Sequence, residues 1–165
     1  AVYLLLHDVV VLPALFLAVA FVDRRYGRGA PGGLLGPHPG LAALFLAAGA
    51  SLAGAPPWSG FFGKLALLDA LFAAGRGDLV PVVLVASLLT LAAMIRLFVG
   101  LFWGGQDRPA AEPRPMDPAT AWPLTSLVAL SLALGLAAGP VLALASAAAG
   151  GLVDPSAYVA AVLGG

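Results

Sequence analysis

Cysteine is absent from the 165 residues, and histidine occurs only at His7 and His38, far apart in the chain. No spacing is left from which a zinc, haem or iron–sulfur site could be assembled, so neither a metal nor a cofactor is expected. The missing cysteines leave the redox compartment undecided. Charge is scarce as well: Asp, Glu, Lys and Arg make up 10% of the chain, against about 25% in a soluble globular domain. Eight basic and eight acidic residues cancel, and the arginines other than Arg96 lie between apolar runs. Neither a basic patch for nucleic acid nor an acidic tail results. Signatures of covalent catalysis are missing too, since no Walker loop, metal cluster or Ser, His and acid arrangement occurs. The glycine-rich GRGAPGG from Gly27 to Gly33 lacks the lysine and following helix of a phosphate cradle, and reads as a flexible turn.

What is abundant is apolar sequence, 61% of the chain. A hydrocarbon core of about 30 Å needs roughly 20 apolar residues as a helix, and four runs qualify: residues 1–22, 41–74, 79–103 and 122–149, followed by a short tail at 150–165. The connections are rich in Gly, Pro and charge, as interfacial loops are. The expected architecture is all-α, a polytopic transmembrane bundle of about four spans. The chain is apolar from Ala1 onward without a basic leader segment, which argues against a signal peptide and for a piece of a larger polytopic protein. Arg24, Arg25 and Arg28 in the first loop and Arg108 and Arg114 in the third outnumber Arg76 in the second. The positive-inside rule then places loops one and three in the cytoplasm and the C-terminus outside. Arg96, two turns before Trp103, can snorkel toward the cytoplasmic side along its aliphatic stem.

The second run is too long. Its 34 residues would reach roughly 50 Å as one straight helix, more than the whole bilayer. Pro56 and Pro57 lie near its middle, flanked by Gly54 and Gly60. Each proline lacks an amide donor, so the helix is expected to break there. Irregular backbone at membrane depth is tolerated only inside protein or beside water, which makes the break, with Ser59 just beyond it, a candidate polar site.

Lys64 follows the break and is the only lysine in the chain. A charge within a span costs about 2.5 to 3.5 kcal/mol on insertion scales. Unlike arginine, a desolvated lysine can lose its proton near neutrality, which suits a relay; the other reading is a side chain that snorkels to an interface. Asp69, about 140° further around the helix, fits interfacial solvation. In the first run His7 and Asp8 interrupt YLLLHDVVVLPALFL, with Tyr3 one turn before His7. Either this pair belongs to a proton path or Asp8 neutralises a basic group on a neighbouring helix. Ser87, Thr90 and Met94 share one face of the third run, as helix–helix hydrogen-bonding groups or as the lining of a polar path.

The stretches YLLLHDVVVLPALFL, SLAGAPPWSGFFGKLALLDA, SLLTLAAMIRLFVGLFWG and LVDPSAYVAAVL together resemble the C-terminal part of the D subunit of Mrp-type multisubunit sodium/proton antiporters. The resemblance runs over essentially the whole chain. The stretch with Pro-Pro and SGFFGK also resembles the wider set of antiporter-like subunits in complex I and in membrane-bound hydrogenases. The resemblance implies a helix broken in the membrane, with Lys64 a protonatable member of a mid-membrane chain of polar residues and His7 in the same relay. It also implies a C-terminus outside a bacterial cell membrane. The partners it implies are the preceding helices of the same subunit, other membrane subunits of the complex, lipid, protons and a monovalent cation such as sodium. Where that family usually carries a lysine one turn beyond the Asp of the His-Asp pair, this chain has Leu12 followed by Pro13. Three functions are therefore in play: a cation/proton antiporter subunit, a proton-pumping subunit powered by electron transfer in its partners, and a structural membrane subunit without a path of its own.

Overall fold

A computed structural model describes residues 2–27, 32–103, 116–153 and 162. Among the described residues six α-helices follow one another: α1 Val2–Tyr26, α2 Pro39–Ala53, α3 Ser59–Ala73, α4 Val80–Phe98, α5 Pro118–Leu136 and α6 Ala138–Val153. A 3₁₀ turn, Gly77–Leu79, leads into α4, and a π-helical turn, Val99–Trp103, ends it. No strand occurs among the described residues. Helix α1, residues 77–103 and α5 are long and apolar enough to cross a membrane, and the molecule is a membrane helix bundle. Arg28, Arg108 and Arg114, most of the GRGAPGG turn and most of the C-terminal tail lie outside the described residues.

Sequence punctuation sets the helix ends. Helix α1 stops where Gly27 takes a φ of 75° and donates its amide to the Asp23 carbonyl. Pro39 opens α2 at its first position, where a missing amide costs nothing. The anomalous second run is two fifteen-residue helices, α2 and α3, separated at Pro56 and Pro57. Each measures about 22 Å and is too short to cross a 30 Å core alone.

The fourth run departs from the single span expected over residues 122–149. The chain leaves helical geometry at Ala137, which divides it into α5 and α6. Pro140 accounts for the division, because it has no amide to offer the Leu136 carbonyl.

Helix α1 is the hub, packing against α2, α3, α5 and α6. Its Val11, Ala14, Ala18 and Val22 meet Leu41 and Phe45 of α2 and Leu124 and Val128 of α5 in one buried cluster. The alanines matter because lipid is as apolar as leucine, so close packing of small residues holds such helices together. The turn before α2 is tied to the end of α4: the amides of Leu34 and Leu35 donate to the carbonyls of Leu101 and Phe102 at 3.2 and 3.1 Å. Those bonds satisfy helix-terminal carbonyls that have no partner of their own, and Phe102 is buried against Phe45 and Phe98.

Candidate functional site in the broken span

The break is an ordered piece of hydrogen-bond accounting. At the end of α2, Gly54 adopts a left-handed conformation with φ 91°. Its amide reaches the Ser51 carbonyl and the Ala55 amide reaches the Ala50 carbonyl, at 3.0 and 2.9 Å. This is the pairing of a Schellman cap, and it leaves the next two carbonyls, those of Leu52 and Ala53, unserved. In an unbroken helix their donors would be the amides of residues 56 and 57, and both of those residues are proline. Lys64, one turn into α3, supplies what is missing: its Nζ donates to the Leu52 carbonyl at 3.0 Å and to the Ala53 carbonyl at 2.6 Å. The proline pair and the lysine are thus one device. The prolines free two carbonyls at the negative end of a helix dipole, and the ammonium caps them.

A second set of polar groups runs through the bundle behind the break. His7 Nδ1 on α1 shares a hydrogen bond with Ser59 Oγ, the first residue of α3, at 2.8 Å. Ser59 Oγ meets Ser131 Oγ of α5 at 2.9 Å, and Ser131 Oγ meets Ser51 Oγ of α2 at 2.8 Å. All four side chains are buried, and every hydroxyl can both donate and accept, so the chain can pass a proton by exchanging roles. Tyr3, one turn before His7, donates its hydroxyl to the Leu134 carbonyl in the last turn of α5 at 3.0 Å.

Two glycines make this convergence possible. A β-carbon on Gly60 would run into the Ser51 carbonyl and press on the His7 ring, and one on Gly135 would strike the Pro57 carbonyl and the backbone of Trp58 and Ser59. Gly60 therefore lets α3 start against the end of α2, and Gly135 lets α5 lie against the irregular segment.

The ammonium opens on a cleft of about 410 Å³ between α1, α3 and α4. His7, Asp8 and Lys64 line it, together with Ser87 and Thr90 of α4. The Asp8 side chain is 47% exposed there, with Oδ1 3.9 Å from His7 Nε2, too far for a direct hydrogen bond. His7 thus stands between two environments, its Nδ1 on the buried serine chain and its Nε2 toward Asp8. Ser87 and Thr90 bond within their own helix, to the carbonyls of Val83 and Ala86, and not across helices. Leu12 is 40% exposed and does not line the cleft. Asp69 is exposed on α3, and Arg76 is paired with Asp78 at 3.2 Å.

The break at Gly54, Pro56, Pro57, Ser59 and Gly60 thus lies beside the cleft that His7, Asp8, Lys64, Ser87 and Thr90 line, whereas Leu12 and Asp69 do not line it. What sequence reasoning missed is Ser51 and Ser131. The signal for them was slight: a lone hydroxyl in an apolar helix, with nothing in spacing to connect α2 to α5. The carbonyl partners of Lys64 were missed as well, although the positions of the prolines name them by counting back four.

These features define a class, a polytopic membrane helix bundle whose broken span carries ionisable and hydroxyl groups between its helices. Comparison with known proteins gives the family. The family model for the transmembrane part of NADH:quinone oxidoreductase and Mrp antiporters matches residues 1–90, and the chain belongs to that family. It is similar to the D subunit of a Na(+)/H(+) antiporter from Alkalihalophilus pseudofirmus, 37% identical over 99% of this chain and 34% of that protein. It is also similar to NADH-quinone oxidoreductase subunit 14 of Thermus thermophilus, 41% identical over 72% of this chain and 27% of the relative. Among solved structures, a chain of the Mrp complex from Dietzia sp. DQ12-45-1b superposes with a TM-score of 0.83 at 32% identity, over 98% of this chain and 39% of the other. The chain spans between about a quarter and a third of the length of these curated relatives.

Proposed function

We propose that this chain is part of a membrane subunit of a monovalent cation/proton antiporter, a transporter component and not an enzyme, in which Lys64, His7 and Asp8 form part of a mid-membrane proton relay. The observation that carries the reading is the Lys64 ammonium seated on the carbonyls of Leu52 and Ala53, facing the same cleft as His7 and Asp8. An intramembrane charge that is both costly and anchored at a helix break is a functional group by default. The similarity to a Na(+)/H(+) antiporter over 99% of the chain supports sodium as the exchanged cation. The setting is a bacterial cell membrane with the C-terminus outside, and the partners are further helices of the same subunit and other membrane subunits of a complex.

In this reading a proton moves among His7, Asp8, Lys64 and waters of the cleft, with Ser87 and Thr90 as its lining and the serine chain as an inner branch from His7. The position of Leu12 leaves no lysine on α1 to continue the path, so water in the cleft carries it. The test is sodium-dependent proton movement in everted vesicles holding the intact complex. Lys64→Ala is expected to abolish it with the subunit still inserted, and unchanged flux would remove Lys64 from the relay.

The similarity to the Thermus thermophilus NADH-quinone oxidoreductase subunit favours a second reading, proton pumping driven by electron transfer in partner subunits. The driving force separates the two: a sodium gradient moves protons in the first, a reductant in the second.

A further inference from the structure

The two carbonyls at the end of α2 form a cation-binding feature in their own right. The oxygens of Leu52 and Ala53 converge on one point, now filled by the Lys64 ammonium at 3.0 and 2.6 Å. They stand at the C-terminal end of a fifteen-residue helix, which contributes roughly half a negative charge. That point opens on the cleft of about 410 Å³, which Asp8 lines from α1. We infer that the Leu52 and Ala53 carbonyls are a binding site for a monovalent alkali cation, occupied in alternation by that cation and by the Lys64 ammonium, with Asp8 as counter-charge. The inference rests on the transport reading and adds to it where the second ion sits.

The donor set selects the cation. Neutral carbonyls, a carboxylate and water are hard oxygen ligands, which suit alkali and alkaline-earth ions and not soft metals. One carboxylate and a helix terminus balance between one and two charges, whereas calcium sites gather 6 to 8 oxygens, several from carboxylates. Magnesium sheds its water reluctantly, while a monovalent ion does so cheaply and can take the carbonyls directly. Ser87 and Thr90 donate their hydroxyl protons to α4 carbonyls, so their oxygen lone pairs remain available to a hydrated ion.

Exclusion follows from space and charge. Ammonium and cation claim the same two oxygens, and neither shares them without two positive charges in contact. The Lys64 stem reaches the carbonyls over Gly54, where a β-carbon would come within 2.9 Å of its Cδ, so the glycine leaves the room the stem needs. The ionisable groups facing Lys64 across the cleft are His7 and Asp8 of α1, while α2 and α4 turn only uncharged groups toward it. Departure of one ion is then the condition for arrival of the other, which is the mutual exclusion that antiport requires.

The test is equilibrium binding of radioactive sodium to the purified complex, with choline chloride holding ionic strength constant. Lys64→Met should gain about one sodium per subunit relative to the native complex, and methylammonium, a free copy of the lost head group, should displace it. Lys64→Arg, which keeps a cation on the carbonyls, should gain none. Lys64→Gln replaces Lys64→Met if the latter fails to assemble. Sodium sites elsewhere in the complex contribute equally to all forms and cancel in the differences. No gain in the neutral variants, or an equal gain in Lys64→Arg, overturns the site. The two readings fail separately: loss of antiport in Lys64→Ala without any binding difference refutes the carbonyl site and leaves the relay standing, whereas intact antiport in Lys64→Ala refutes the relay.

Discussion

His7 and Ser59 lie 52 positions apart in the chain, yet the imidazole Nδ1 and the hydroxyl meet at 2.8 Å inside the bundle. The contact joins α1 to the first residue of α3, so it reports whether the broken span is seated. Ser59 also bonds Ser131, and removing its hydroxyl strands the buried His7 Nδ1 and leaves Ser131 bonded to Ser51 alone. Ser59→Ala is expected to cost about 1 to 3 kcal/mol, the usual penalty for stranding buried polar groups. Thermal unfolding of the purified complex measures it. A cycle with Ser131→Ala should be non-additive, because both substitutions break the same bond; strict additivity would mean that the serine chain is not a unit.

The glycine at position 60 makes a sharper prediction. Its missing β-carbon is the room in which the Ser51 carbonyl sits, and backbone on both sides cannot move aside as a flexible side chain would. Gly60→Ala should lower the yield of assembled complex several-fold. Gly40→Ala is the control: Gly40 is helical, and a β-carbon there meets nothing within 4 Å. The control should be neutral or gain up to about 1 kcal/mol from the better helix propensity of alanine. Equal losses for both would sink the close-approach argument, and expression with size-exclusion profiles decides.

The prolines give the converse experiment. Pro56→Ala with Pro57→Ala restores amides at the two positions that would serve the Leu52 and Ala53 carbonyls. The repaired helix competes with Lys64 for those oxygens. Sodium-dependent proton movement should therefore fall by at least tenfold, with Lys64 still present and the subunit still inserted. Flux at the native level in vesicles would show that the break is dispensable.

Much of this architecture is written in local pattern. Apolar runs of membrane length, arginine-bearing connections and a doubled proline are short-range signals, and each imposes a physical constraint strong enough to survive folding. The broken second span was legible because 34 residues cannot stand upright in a bilayer. The division of the fourth run at Ala137 was less so: Gly139 and Pro140 mark it, but no charged residue stands beside them to show an end. The serine chain was not legible at all: Ser51, Ser59 and Ser131 come from three helices, and only the packing of Gly60 and Gly135 decides that their hydroxyls converge. Lys64 was conspicuous as a residue, but its partners are backbone atoms, which carry no signature in side-chain patterns.

The far end of α1 carries the last prediction, one of pH. His38, in the turn before α2, is buried with Nε2 2.6 Å from the Tyr26 hydroxyl and with the Phe21 ring edge-on at 5.4 Å. Burial, and then the positive charge of Arg25, push its imidazole below its ordinary value. Sequence shows only a lone histidine here; the structure makes it the neutral pin between α1 and the turn. The sign follows from linkage. A base whose folded value is depressed binds fewer protons folded than unfolded, between that value and the ordinary one near 6.5. The contribution to stability is therefore full above about 6.5 and is lost as the pH falls below it toward the depressed folded value. The purified complex should melt at progressively lower temperature on acidification from pH 7 to pH 5. His38→Gln, which can keep a hydrogen bond to Tyr26 without titrating, should melt with a flatter pH profile. Parallel profiles for the two proteins would assign the acid sensitivity elsewhere and remove His38 from the account.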